Sequence, residues 1–428
     1  MQGQPRLACL PQNMDIQNQL EASNTEQHKK GTTFLKTCFN GINALTGIGI
    51  LSMPYAVSHG GWLSFILLFI FAMICWYTSV LLERCMNKHP LIKSYPDIGQ
   101  VAFGHRGKAL IATFIYVELF LIAVELLILE GDNLEKLFPN MNFKVGDLRI
   151  EGKKGFVLLA ALVILPTTWL RSLGVLAYVS FCGVVVSIIL ICCVAWVGEV
   201  GVGFHERGHL VKWNWEGLVT VVSVFAFCYC AHAVTPTLIN SMNDRSQFNK
   251  VLMVSFVTST IIYGVIAVLG YTMFGGNLKS QITLNLPSKE ISTKIAIYTT
   301  VINPLTKYAV LITPIANAVE DKWLLCNTKT ISILIRTTIV VSTVFMALFM
   351  PFFGYILTFI GAFFSVTISL LFPCICYLKI NKAARQFGLE LIIIIAILII
   401  GTFIGILGTY LSVKHIVNHL YKYEGLHS

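Results

Sequence analysis

The sequence reads GINALTGIGILSMP over residues 41–54, inside its first long apolar segment. Gly47 and Gly49 flank a single residue, and Pro54 follows on the same segment. Glycine adopts backbone angles that unwind a helix, and proline lacks the amide that a helix interior needs. We therefore predict that a helix begins before this stretch, breaks near Gly47, and leaves the amides after the break without partners inside the helix.

The composition indicates that the bilayer is the main solvent of this chain. Hydrophobic residues make up 56% of the 428 residues and charged residues 12%, whereas soluble domains carry about a quarter charged residues. A helix needs about 20 mostly apolar residues to cross a bilayer, and about eleven stretches meet that need. The sequence predicts an all-α polytopic membrane protein, with a polar cytosolic tail at 1–31, a transmembrane domain at 32–413 and a short polar tail at 414–428.

The predicted spans follow from reading apolar runs against charged breaks. Their bounds are near Thr32–Ser58, Trp62–Leu82, Ala109–Leu129, Gly155–Trp169, Leu173–Val197, Gly217–Ile239, Val251–Phe274, Ile295–Val319, Ile331–Met350, Gly354–Cys376 and Leu389–Val413. The first thirty residues are polar and lack the apolar core of a signal peptide, so we expect the N-terminus in the cytosol. Cytosolic segments then carry 18 Lys and Arg residues against 12 opposite, as the positive-inside rule requires.

Several function classes are disfavoured by the sequence. The net charge of +10 arises from Lys and Arg in loops, without the aromatic interleaving of a nucleic-acid surface. Two Cys-x-Cys pairs have no partner pair at zinc-site spacing, and His415 with His419 reads as a terminal polar face rather than a metal site. No P-loop, nucleophile elbow or metalloprotease motif occurs. We expect no nucleic-acid partner, cofactor, metal or enzyme activity.

A second interrupted segment lies in the sixth predicted span, which reads FCYCAHAVTP over residues 227–236. Pro236 has no amide to donate, so we expect the carbonyl of His232, one turn earlier, to be released. The first and sixth spans would open two halves of five spans each. Interrupted segments at corresponding positions of two halves indicate an inverted-repeat transporter with its site near the middle of the bilayer.

Both breaks supply backbone groups that suit a bound zwitterion. Unpaired backbone groups occur in hydrocarbon only where they line a cavity or meet a ligand. We predict that the amides of Ile48, Gly49 and Ile50 hold a carboxylate, helped by the half-helix that follows, and that carbonyls of the sixth span accept from an ammonium. Helix packing is the alternative for the glycines, but their spacing does not build a GxxxG face. The predicted substrate-binding residues are Thr46, Gly47, Ile48, Gly49, Ile50, Phe227, Cys228, Tyr229, Cys230 and His232.

Ionisable side chains inside spans form a second group of candidates, because they are costly unless they are paired or functional. His232 has two readings, a proton carrier or a neutral ring that hydrogen-bonds across helices and shapes or gates the site. Glu118 and Glu125 lie on one face of the third span, and Lys307 follows Thr306 in the eighth. We predict an ion pair between Glu118 and Lys307, as a fixed strut or a proton relay. The predicted ion-coupling residues are Thr306, Lys307 and Glu118.

Several strings together resemble the amino acid/auxin permease family. They are residues 41–57, GGW at 60–62, SYPDIG at 94–99, LPTTWLR at 165–171, FCYCAHA at 227–233 and NPLTKYA at 303–309. Within that family the chain looks most like the plant vacuolar amino acid transporter branch. The resemblance implies a leucine-transporter-type fold of two inverted five-helix repeats plus one extra helix, and movement of neutral amino acids across the vacuolar membrane, with the plasma membrane as the alternative.

The same resemblance suggests roles for individual positions. Residues 47–49 correspond to the unwound first helix, residues 227–232 to the unwound sixth, and Thr306 to a position that helps bind the coupling ion in sodium-dependent relatives. Ala231 and Thr235 depart from the family pattern, which commonly has Gly and Phe at these positions. The first departure bears on how far the sixth helix unwinds, and the second on pocket size.

The expected function is therefore secondary active transport of neutral amino acids by alternating access. Lys307 places a positive charge beside the ion position, which disfavours sodium, so we expect a proton as the coupling ion in preference to sodium. The expected partners are an amino acid, a proton and the lipid bilayer. A hypothesis from another class is a membrane sensor that binds amino acids without moving them, although the modest loops leave little for a partner to read.

Overall fold

The computed structural model describes residues 31–89, 91–145, 148–169, 176–204, 214–322, 329–350 and 352–424. The predicted N-terminal tail, apart from Gly31, and the turn at Arg171 lie outside the described residues. The helices are α1 (Phe34–Leu45), α2 (Met53–Gly60), α3 (Ser64–Lys88), α4 (Tyr95–Leu137), α5 (Gly152–Thr168), α6 (Leu176–Val197), α7 (Trp215–Cys228), α8 (Thr235–Ser241), α9 (Phe248–Phe274), α10 (Ile291–Lys322), α11 (Lys329–Phe349), α12 (Phe353–Phe359), α13 (Phe372–Ile380) and α14 (Leu389–Glu424).

Long apolar helices dominate this structure and confirm an all-α polytopic membrane protein. Within the described residues, eight helical segments are long and apolar enough to cross a membrane, namely Ser64–Lys88, Tyr95–Leu137, Phe181–Val202, Arg245–Asn277, Ile291–Glu320, Lys329–Phe349, Phe353–Ile380 and Leu389–His419. The first and sixth predicted spans are split into shorter helices, and α5 has 17 residues. The count of eleven spans and the inverted repeat therefore stay predictions.

Three local features differ from the sequence-based expectation. The third span was expected to begin near Ala109, but α4 begins at Tyr95, because Ser94 and Asp97 form a capping box, and Gly104, with φ of +70°, divides the helix. The last helix continues to Glu424 through most of the expected polar tail, since residues 414–424 contain no glycine or proline. A short antiparallel hairpin pairs β1 (Phe143–Val145) with β2 (Leu148–Ile150).

The packing of the helices brings both interrupted spans together. α1 and α2 pack against α9, and α7 packs against α2 and against a π-helical stretch at Ile360–Ser365. α4 packs along α10, and α14 covers α12 and the π-helical stretch. In a bilayer, close packing and hydrogen bonds between helices supply the association energy that burial from water supplies elsewhere. The hydroxyl of Tyr229, in the sixth-span break, lies 2.7 Å from Oγ1 of Thr260 on α9, so the two breaks share α9 as a common neighbour.

Candidate substrate and coupling site

The first predicted span breaks where the glycines indicated. α1 and α2 lie on either side of a 3-10 turn over Ile48–Ser52, and Gly47 has φ −79° and ψ −144°, outside the helical region. The Thr46 amide and hydroxyl both turn back onto the last turn of α1, which ends that helix. The first amide groups of a helical turn have no carbonyl partner within that turn. The amides of Ile48 and Gly49 therefore have no hydrogen-bond acceptor within the 3-10 turn itself. The predicted break is confirmed; its role in binding stays a prediction.

The sixth span also breaks, although Ala231 departs from the family pattern. α7 ends at Cys228 and α8 begins at Thr235, and the residues between them are not helical. The carbonyl of His232, which Pro236 was expected to release, instead accepts a hydrogen bond of 3.2 Å from the Thr235 amide. The expected release of this carbonyl was therefore wrong. The turn before α8 supplies the Thr235 amide, which is closer in sequence to His232 than the amide position that Pro236 leaves empty.

The two breaks contact each other directly. A Cβ atom placed on Gly49 would lie 2.3 Å from Sγ of Cys228 and 3.4 Å from its Cα. The Tyr263 hydroxyl, from α9, hydrogen-bonds the Leu45 carbonyl and lies 3.0 Å from the Cys228 carbonyl. These carbonyls end α1 and α7, where helices carry unsatisfied acceptors and a partial negative charge. One hydroxyl proton serves only one of them at a time, so acceptor capacity remains.

Tyr263 is a site residue that the sequence reasoning missed. It lies in an uninterrupted apolar span and belongs to no recognised motif. A phenol buried in a membrane helix usually has a hydrogen-bond partner, and that rule was the only available signal. The partner itself depends on how α9 packs against both broken spans.

His232 is fully buried and joins the sixth-span break to α3. Its Nε2 atom lies 2.9 Å from Oγ1 of Thr78 and 3.1 Å from Oγ of Ser79. Within the described chain, Nδ1 has no hydrogen-bond partner. Hydrogen bonds across helices fit the hypothesis that His232 holds the break in position. The hypothesis that it carries a proton stays a prediction.

Glu118 reaches the sixth-span break rather than the eighth span. Its side chain is 4% exposed, Oε1 accepts a hydrogen bond of 2.7 Å from the Ser365 hydroxyl, and Oε2 lies 4.0 Å from Sγ of Cys230. No ion pair joins Glu118 to Lys307 among the described residues. The predicted pair is therefore wrong, because the carboxylate faces the π-helical stretch and the break. The side chain of Thr306 lies outside the described ones.

A small cavity adjoins the first-span break. Its volume is ≈ 20 Å³, which is room for about one water molecule. It is lined by Gly47, Ile48, Ile50, Leu51, Leu129, Val186, Ser187, Leu190, Thr300, Asn303 and Pro304. Thr300, Asn303 and Ser187 were not predicted as site residues; Asn303 before Pro304 in an apolar span was the available signal. The cavity in this structure is too small for an amino acid.

The ends of the interrupted spans assigned to the cytosol are tied together. The Thr32 amide donates to the Ser241 carbonyl at 2.6 Å, and the Asn243 amide donates to the Thr32 carbonyl at 3.1 Å. The Thr32 hydroxyl adds a bond of 3.1 Å to the Ser241 carbonyl. These bonds join the chain just before α1 to the end of α8.

Comparison with known proteins places this chain in a family. The family described as transmembrane amino acid transporter protein matches residues 30–414. The chain belongs to that family. Amino acid transporter AVT1I of Arabidopsis thaliana is 46% identical over 90% of the chain and 96% of its own length. Amino acid transporter AVT1J of the same plant is 46% identical over 90% of the chain and 92% of its length. The vesicular GABA transporter of Caenorhabditis elegans is 24% identical over 94% and 84%, respectively.

Family membership decides the coarse function. The chain is a multi-pass integral membrane protein that transports amino acids, and it is not an enzyme. The amino acid/auxin permease family and the plant branch inferred from the motifs are confirmed. Amino acid choice, the coupling ion and the membrane in which the transporter resides are not decided by these similarities and stay predictions.

Proposed function

We propose that this transporter moves neutral amino acids by secondary active, alternating-access transport coupled to a proton. The contact between the two breaks, with Gly49 against Cys228, carries this proposal. It places the amide-rich start of one half-helix beside the carbonyl-rich ends of α1 and α7. Such a pair of opposite backbone dipoles suits the carboxylate and ammonium of one amino acid.

Substrate recognition would then use the backbone groups that all amino acids share. The amides of Ile48 and Gly49 would hold the carboxylate, and the carbonyls of Leu45 and Cys228 would hold the ammonium after displacing the Tyr263 hydroxyl. The cavity beside the break has no ionisable side chain among its lining residues. A charged substrate side chain would lack a partner there, and this supports neutral amino acids.

Proton coupling would centre on α4. Glu118 contacts Cys230 in the sixth-span break and Ser365 in the π-helical stretch. Protonation would give this carboxyl an O–H donor and reduce its strength as an acceptor, which would change its contacts with both elements. Glu125, on the same face, is fully buried, and neither of its oxygens has a hydrogen-bond partner within the described residues. The positive charge of Lys307 would disfavour a sodium ion beside it. In the alternative, sodium-coupled transport, Thr306 would help to bind the sodium ion.

The vacuolar membrane is our proposed location, because of the plant branch to which the sequence is similar; the plasma membrane is the alternative. A fluorescent fusion expressed in plant cells, imaged with markers for both membranes, tests the location. Signal only at the cell surface would replace the vacuolar proposal.

Transport is tested with purified protein in proteoliposomes. Accumulation of a labelled neutral amino acid should require an imposed pH gradient and be indifferent to sodium, and competition by the twenty standard amino acids should identify the preferred substrates. Accumulation that depends on sodium alone would refute proton coupling. Saturable binding without any uptake would replace secondary transport by the sensor hypothesis.

A further inference from the structure

A larger cavity lies away from the helix breaks, toward the side opposite the Thr32 contacts. Its volume is ≈ 170 Å³. It is lined by Tyr55, His59, Asn214, Glu216, Gly217, Val219, Thr220, Ser223, Tyr355, Thr358, Leu411, Ser412 and His415. These residues come from α2, α7, α12 and α14, with Asn214 just before α7. On the predicted orientation the cavity is at the non-cytosolic ends of these helices.

The cavity is distinct from the central site. Ser223 lies more than one helical turn before Cys228, and Tyr55 lies beyond the 3-10 turn that contains Gly49. None of the residues around the smaller cavity also lines the larger one.

Unpartnered hydroxyl groups face this cavity. Ser412 is 4% exposed, and no hydrogen bond to its hydroxyl occurs in the described part of the chain. The hydroxyls of Tyr55 and Tyr355 likewise have none among the described residues. These hydroxyl groups line the open space of the cavity, where a polar ligand would hydrogen-bond them and an apolar ligand would not.

One carboxylate and two imidazole rings line the same space. Glu216 contributes a carboxylate, 3.9 Å from Nζ of Lys414. His415 stacks on the Tyr355 ring with centroids 5.8 Å apart and 7° between the planes, and His59 stands edge-on to Tyr55 at 4.6 Å. These contacts orient both imidazole rings. Imidazole and phenol donors suit a carboxylate, and the Glu216 carboxylate suits an ammonium.

We propose that this cavity is a second amino acid binding site, which holds a zwitterion outside the central site. The volume exceeds what one water molecule needs and lies below the ~300–1,000 Å³ of pockets for drug-sized ligands. α14, the helix outside the predicted repeats, supplies Ser412 and His415 and thereby completes the site. The choice of ligand rests on the proposed function, whereas the position and polarity of the cavity do not.

Counting bound ligand per chain tests this second site. The full-length protein in lipid nanodiscs is titrated with tritiated L-alanine and, separately, with tritiated L-glutamine, and unfolding temperatures check that each variant is folded. Wild type should bind two molecules of at least one of these amino acids. Gly49→Val should bind one molecule, at the second site in the larger cavity. Ser412→Leu, which fills that cavity, should bind one molecule, at the central site. Val413→Leu is the matched control, since Val413 is 43% exposed on the same helix, and it should bind two.

Glu216→Gln gives a second test that preserves shape. It should weaken binding to the Gly49→Val protein at least tenfold, because the ammonium loses its carboxylate. Three results would each overturn the second site. They are one molecule per wild-type chain with none on Gly49→Val, two molecules on Ser412→Leu, and no binding of either amino acid. Normal uptake with one molecule per chain would overturn this inference alone. Two molecules per chain without uptake would leave the site standing and overturn transport.

Discussion

Replacing Gly49 with alanine should disturb the contact between the two breaks, and replacing Cys228 with alanine should relieve it. In the single variant Gly49→Ala, the new methyl group would lie 2.3 Å from Sγ of Cys228, so one of the two segments must move. Overpacking of this kind costs about 1–3 kcal/mol. If that cost falls on the transport-competent arrangement, uptake should decrease by roughly 5- to 150-fold.

The double variant Gly49→Ala with Cys228→Ala removes the clashing sulfur. The nearest remaining atoms are then Cβ of residue 228 at 3.3 Å and its Cα at 3.4 Å, which a small adjustment accommodates. We expect the double variant to recover most of the lost activity, with a coupling energy of about 1–2 kcal/mol between the sites. Initial uptake rates in proteoliposomes and unfolding temperatures in detergent measure both quantities for the wild type, the two single variants and the double variant.

Gly264→Ala is the matched control, because a Cβ at Gly264 meets no atom within 4 Å although the residue lies on α9 beside Tyr263. Its uptake should stay within about twofold of wild type. If the double variant is as slow as Gly49→Ala, the contact between Gly49 and Cys228 does not limit transport. The loss of uptake in Gly49→Ala would then need a cause other than this contact.

Three further variants test other contacts. Tyr263→Phe removes the hydroxyl shared by two helix-end carbonyls, so it should destabilise the protein by about 1–3 kcal/mol and lower the unfolding temperature; an unchanged temperature would contradict that contact. Glu118→Gln should abolish accumulation driven by a pH gradient but retain exchange of labelled for unlabelled substrate; normal gradient-driven uptake would exclude Glu118 as the proton carrier. Thr32→Pro deletes the amide that donates to Ser241 and should accelerate hydrogen exchange at residues 241–243; unchanged exchange would contradict a stabilising contact between Thr32 and the end of α8.

Much of the architecture was predictable because it depends on local chemistry. Apolar runs of sufficient length identified the membrane class, and Gly47 with Gly49 marked the first break from backbone preferences alone. The sixth break was also predicted, although the partner of the His232 carbonyl was not. Helix bounds were less certain, because the capping box at Ser94 extends α4 into a polar region.

The sequence by itself determined the class of protein, the two breaks and the family, since each depends on short stretches whose meaning does not require distant residues. Only the tertiary structure decided what meets across helices: Tyr263 at both carbonyl ends, Ser365 rather than Lys307 beside Glu118, and Ser412 in the outer cavity. The physical reason is that the rotation and depth of each helix in the bundle set these contacts. Those quantities arise from the packing of the whole bundle, so the pattern along one span does not contain them.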